Sequence, residues 1–243
     1  INITGGKIEC NVASKEGSVA SKEGGGIYTE GTLTMSGGEI LSNSSSGRGG
    51  GLCVKGGATI TGGTIAYNES EGDGGGIYDA CGITLSGGTI TGNKAGGEGG
   101  GMSVEAGKEL KIKDAPVVTG NRASVGDEMF LSPQEGAIKP IKVIGPLTSG
   151  VSMGVQLDFG GFGTFTTGFK ENNPGVLPNT FFHSTDPTFE VISDADGEAA
   201  IQGGWTLLQE QINAANDGDT ITLTKGYRAN EPETTLVIPE NKK

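Results

Sequence analysis

The segment SDADGEAA sets Asp194, Asp196 and Glu198 at alternate positions, a spacing that could turn three carboxylates towards one cation. Calcium takes a shell of such oxygens, but the roughly 12-residue loop with a distal Glu that completes a calcium site is missing. An ordinary acidic turn is the plainer reading. NDGDT, with Asp217 and Asp219, reads the same way. His183 is the only histidine; it stands among Phe181, Phe182 and Ser184 with no Cys or Ser motif beside it. A packed or surface imidazole explains it better than a catalyst. If the chain is a carbohydrate-active enzyme, its site is expected within residues 126 to 200, near Asp158, His183, Asp194 and Asp196, and no metal or cofactor is expected.

The elements that would position such residues follow from a repeat. GGG begins at Gly24, Gly49, Gly74 and Gly99, a constant step of 25. GGEI or GGTI begins at Gly37, Gly62 and Gly87 with the same step, and Asn43, Asn68 and Asn93 each close an Ile-x-x-Asn sequence. Outlying copies run from Ile8 to Asn11 and from Val118 to Asn121. Self-similarity on this scale marks a solenoid.

Within one period the apolar residues alternate, as in TLTMS, ATITG and GITLS, which is strand periodicity. Three short strands around Ile27, Leu33 to Met35, and Ile40, with glycine corners, make one coil. Stacked coils pair equivalent strands in parallel about 4.8 Å apart. The fold expected is therefore all-β, a right-handed parallel β-helix of about 25 residues and three strands per coil. Ile27, Leu52, Ile77 and Met102 should form one core column and Ile40, Ile65 and Ile90 another. Asn43, Asn68 and Asn93 should stack as a structural ladder whose amides bond along the axis. The 47 glycines among 243 residues show no Gly-X-Y period and serve the corners, where positive φ excludes a Cβ.

The motifs Gly25-Gly26-Ile27-Tyr28 and Gly75-Gly76-Ile77-Tyr78, with the Asn columns, resemble the polymorphic outer-membrane protein repeats of bacterial surface adhesins and autotransporter passengers. The resemblance covers roughly residues 1 to 125. Ile or Val stands where that family prefers Phe before x-x-Asn. It implies a right-handed β-helix on a cell surface or secreted, binding host or community glycans or proteins.

Beyond Asn121 the period fades. Residues 126 to 203 read as an irregular β-rich continuation or cap, and 204 to 243 as a helix (Trp205, Leu208, Ile212, Ala215) ending at Asn216-Asp217-Gly218, then a strand from Thr220 to Thr224. That last unit resembles the start of another β-helix, so a longer tandem-repeat parent is expected.

Acidic residues outnumber basic ones 29 to 17, for a net charge of −12, and the basic residues are scattered along the chain. Nucleic acid is not expected as a partner. No apolar run is long enough to span a bilayer, so this segment is not expected to insert. Cys10, Cys53 and Cys81 are an odd count without CxxC spacing, which fits neither a disulfide framework nor a zinc site.

A β-helix can carry carboxylates on one face, as polysaccharide lyases and polygalacturonase-like hydrolases do. The columns read as outward are Thr34, Thr59, Thr84 and Glu109; Thr29, Val54, Asp79 and Val104; and Glu30, Lys55, Ala80 and Glu105. None pairs carboxylates on adjacent coils. Glu69, Glu71, Asp73 and Glu98 read as a solvated corner. The threonine column, with Thr64 and Thr89 one strand on, raises ice binding as a third function. A noncatalytic adhesin-like stalk and contact surface comes first, and a carbohydrate-active enzyme second.

Overall fold

The computed structural model describes residues 1–14, 22–133, 138–157, 163–216, 219–221 and 237. Within them the chain winds as a parallel β-solenoid of about 6 turns, with coils about 25 residues apart.

Following one coil round, the first sheet stacks Ile27–Thr29, Leu52–Val54, Ile77–Asp79, Met102–Val104 and Met129–Leu131. The second runs from Asn2–Ile3 through Leu33–Met35, Ala58–Ile60, Ile83–Leu85, Lys111–Asp114 and Ile141–Leu147 to Thr166–Thr167. The third stacks Lys7–Glu9, Glu39–Leu41, Thr64–Ala66, Thr89–Thr91, Val117–Thr119 and Ser152–Leu157. A fourth, made of two-residue strands at Val12–Ala13, Ser44–Ser45, Glu69–Ser70 and Lys94–Ala95, adds to the three expected per coil. Its strands are short and mostly polar, so no alternation of apolar residues announces them.

Register is constant through the repeat. Ile40 pairs with Ile65, Ile65 with Ile90, Ile90 with Val118 and Val118 with Met153. Ile27, Leu52, Ile77, Met102 and Met129 form the parallel column on the first sheet. All of these are buried in one core, and each such aliphatic contributes about 1.5–3 kcal/mol relative to exposure.

Residues beyond 126 keep winding, but with fewer corners. Ser152–Leu157 pairs at its start with Val117 and Val118 of the third sheet and at its end with Phe130 and Leu131 of the first. One straight strand thus covers what two strands and an asparagine corner cover below it. Phe182–Ser184 pairs on its far side. Four phenylalanines close this end: Phe165, Phe169, Phe181 and Phe182 are buried, with Phe165 and Phe182 edge to face at 5.3 Å. An antiparallel sheet of Gly163–Thr164, Ala199–Gly203 and Phe189–Ser193 follows. Two helices are seen among the described residues, α1 (Phe169–Asn172) and α2 (Gly204–Ala214). Leu208 is buried. The side chain of Trp205, Asp217, Gly218 and residues 222–224 of the expected strand lie outside the described residues.

Candidate functional site

The glycine triplet shows why local sequence is so constrained. Gly24 has φ +69°, and a Cβ there would meet the Ile27 carbonyl oxygen at 2.3 Å. A Cβ on Gly25 would strike the Gly50 oxygen at 2.3 Å, and one on Gly26 would lie 2.9 Å from Asn43 Nδ2. Gly49, Gly74 and Gly99 repeat the positive φ of Gly24. The triplet therefore exists to turn the chain, let neighbouring coils touch and leave room for an asparagine.

That asparagine belongs to a continuous ladder. The Nδ2 of Asn43 donates to Asn68 Oδ1 at 2.9 Å and to the Ile8 carbonyl at 2.9 Å, while its backbone N–H donates to the same Asn68 oxygen at 2.9 Å. Asn68 repeats this towards Asn93 and Ile40, and Asn93 towards Asn121 and Ile65. Asn11 begins the ladder by donating to Asn43 Oδ1. Each amide oxygen takes two donors, and both protons of each amide nitrogen from Asn43 to Asn93 have acceptors, as buried polar groups require.

The ladder ends on Glu128, a residue the sequence reading did not single out. Its Oε2 accepts from Asn121 Nδ2 at 2.7 Å and from the Asn121 backbone at 3.1 Å, and its Oε1 accepts from the Gly120 N–H at 2.8 Å. Glu128 occupies the column of Gly26, Gly51, Gly76 and Gly101, because the Gly101 N–H bonds to the Glu128 carbonyl as Gly76 bonds to Gly101's coil. Its side chain fills the place a further asparagine would take, and a Cβ on Gly154 of the next layer would collide with its Cγ at 2.3 Å. The legible signal is a glutamate where the repeat demands glycine, seven residues after the last asparagine.

Two of the three hairpin carboxylates, those of Asp194 and Glu198, are spent on local structure. Asp194 Oδ1 accepts from the N–H groups of Asp196 and Glu198, both at 2.9 Å, and Oδ2 from the Thr164 hydroxyl at 2.5 Å. Burial works to raise its pKa, but these bonds outweigh it and hold the carboxyl below the usual range. Glu198 accepts from the Thr166 hydroxyl and from the N–H groups of Phe169 and Lys170, capping α1. No group of three metal-ligating side chains occurs among the described residues, and no hydrogen bond there joins the exposed His183 to Asp194 or Asp196. Asp158 lies outside the described residues.

Two outward columns need correction. Thr29, Val54, Asp79 and Val104 are buried, at 7% exposure or less, because they share the inward parity of Ile27, Leu52, Ile77 and Met102 two residues earlier. Asp79 is thus a carboxyl in the core. Its Oδ1 accepts from Cys81 and Gly82 N–H at 3.0 and 2.7 Å, whereas Oδ2 has no partner. Burial raises its pKa. Burial, then the neighbouring Asp79, push the Cys81 thiol up to about 12, so neither it nor Cys53, likewise about 12, is a thiolate nucleophile. All three cysteines are free.

The second correction opens the candidate site. The partner of Thr84 is Lys111, not Glu109, and the partner of Lys111 is Lys142. The cause lies in the corner between the first and second sheets. Thr29 to Leu33, Val54 to Ala58 and Asp79 to Ile83 are four steps each, but Val104 to Leu110 is six and Leu131 to Ile141 ten. Beside the Val104–Leu110 corner lies a groove of about 240 Å³ whose lining includes Cys81, Thr84, Lys108, Glu109, Lys111 and Lys139. Lys111 Nζ lies 3.2 Å from Glu109. Its hydrogen bond is the largest influence lowering the Glu109 pKa; burial opposes, and Lys142 and Lys139 reinforce it. The basic residues are therefore not all scattered in space. Lys111, Lys139 and Lys142 gather around one carboxylate, with Lys108 in the same groove, on a chain of net charge −12.

Ion pairs also join neighbouring coils ahead of the GGG corners. Arg48 lies 3.2 Å from Asp73, bonds the Tyr78 hydroxyl at 2.8 Å and sits 4.7 Å from that ring's centre. Lys94 pairs with Glu69 at 2.5 Å. No family model, no curated protein and no solved structure matches this chain.

Proposed function

We propose that this chain is a noncatalytic β-helix segment of a secreted or cell-surface protein, related in kind to the polymorphic outer-membrane repeats of bacterial adhesins, and that its outer face binds glycans or proteins. The observation that supports this reading is the in-register outward column Thr34, Thr59, Thr84, Lys111 and Lys142. It presents polar side chains at the spacing of neighbouring strands, about 4.8 Å, on a backbone that the asparagine ladder holds rigid. Such a strip offers a ligand several weak, evenly placed contacts, whose affinities multiply when engaged together. Asp194 and Glu198, whose carboxylates bond the turn, Thr164, Thr166 and the start of α1, support a structural rather than a catalytic role for that region. The test is a panel of neutral and acidic polysaccharides and extracellular-matrix proteins, read both for retention on the immobilised chain and for new reducing ends or unsaturated products. Retention without turnover is expected. Turnover would replace this reading with that of a carbohydrate-active enzyme.

A further inference from the structure

The repeat holds its geometry for three coils and departs from it where the corners lengthen, and lysine enters at that departure. Lys108 and Lys139 sit on the two long corners, and Lys111 and Lys142 on the strands that follow them. The column that carries threonine at 34, 59, 84 and 167 carries lysine at these two levels only. Two ammonium groups on adjacent parallel strands repel each other, and among the described residues that line the groove Glu109 is the sole carboxylate. The described lysines thus outnumber the described carboxylate, and such a cluster favours anions within about a Debye length, roughly 8 Å at physiological salt, on a chain that is acidic as a whole.

We propose that this groove, together with Lys142 on the strand beside Lys111, binds an anionic polysaccharide lying along the solenoid axis, its acidic groups on Lys111 and Lys142 and its hydroxyls on the Thr84 side. The proposal rests on the display-surface reading above and names its ligand class. The geometry favours a glycan because a pyranose unit in an extended chain advances by about one strand spacing. Successive acidic sugars therefore meet successive lysines. Nucleic acid, with a charge about every 1.7 Å of duplex, would be repelled by the other faces of a chain carrying 29 acidic residues and neutralised by only four lysines.

The experiment uses the full chain and four immobilised probes: polygalacturonate, dextran sulfate, uncharged dextran and a single-stranded DNA oligonucleotide. Retention on polygalacturonate or dextran sulfate is expected, weakening as salt rises, and whichever is held tighter identifies carboxylate or sulfate as the charge source. Lys111→Thr combined with Lys142→Thr restores the residue that the column holds elsewhere. It should weaken retention by about tenfold or more, two charge-assisted contacts being lost, with an unchanged thermal melt. Glu109→Gln should strengthen retention, which a merely structural role would not do. Unchanged binding in the double variant, or DNA held as tightly as either polyanion, overturns the proposal. If neither polyanion is retained but uncharged dextran, or a matrix protein from the panel above, is, the groove is refuted while the display surface stands. If nothing is retained at all, both fall.

Discussion

Replacing Asn68 with alanine isolates what the ladder contributes. Asn68 takes part in four side-chain hydrogen bonds, each 2.9 Å: it accepts from the backbone N–H and Nδ2 of Asn43, and donates to the Ile40 carbonyl and Asn93 Oδ1. Alanine leaves three buried groups without those partners, namely the Asn43 N–H, one Asn43 amide proton and the Ile40 oxygen. Asn93 Oδ1 keeps the backbone donor of residue 68. At about 1–3 kcal/mol for each of these three groups, the loss should be about 3–9 kcal/mol, against a total of roughly 5–15 for a domain. Asn11→Ala is the control, since its amide lies at the open end and serves only Asn43 Oδ1 and the Glu9 carbonyl. It should cost less than about 1 kcal/mol. Urea unfolding followed by circular dichroism gives both values, and hydrogen exchange should show the Asn68 damage concentrated in residues 39–72. Because coils interact only with neighbours, a broadened transition is an acceptable form of the same loss. A cost for Asn68→Ala no larger than for Asn11→Ala would refute the ladder as the element that holds the coils in register.

Glu128→Gln keeps shape but offers one acceptor oxygen where the carboxylate offers two, so its amide nitrogen must face a backbone or side-chain donor. A loss of about 2–3 kcal/mol is expected in the same urea assay. Asp79→Asn keeps the acceptor for Cys81 and Gly82 while removing a buried charge. Since Asp79 has a raised folded-state pKa, the stability it contributes is present below about pH 4, the ordinary unfolded range, and is lost as pH climbs through the folded value. The variant should therefore match the parent at acid pH and exceed it at pH 7, read as a difference between melting curves at the two pH values. Ser42, at φ 53°, precedes its ladder asparagine in the left-handed conformation that Gly92 and Gly120 adopt before theirs. Ser42→Gly should raise stability by up to about 1 kcal/mol in thermal melts, and an unchanged or lowered melt would count against backbone strain there.

The repeat made the solenoid legible because its pairing is parallel and in register. A residue's nearest neighbour across the sheet is the one a full coil away, so a column in the sequence becomes a column in space. Ile40, Ile65 and Ile90, the asparagines and the glycine triplets could be read for that reason alone. The same logic fails wherever coil length changes. Two extra residues between Val104 and Leu110 moved Lys111 into the place counted for Glu109, and the ten-step corner after Leu131 brought Lys139 and Lys142 beside it. Parity within a strand also decided the burial of Asp79, which a count of coil equivalents cannot reveal. Glu128 acquired its role only because the ladder ends beneath it, with donors that need an acceptor and no asparagine to supply one. Asp194 and Glu198 read in sequence as an ordinary acidic turn, and the turn they close and the helix they cap consume their oxygens. Local spacing by itself determined the coil, since backbone hydrogen bonds between coils demand identical turns. The groove and the ladder's end were decided by tertiary structure, because side chains from different coils meet at distances set by insertions that the repeat does not encode.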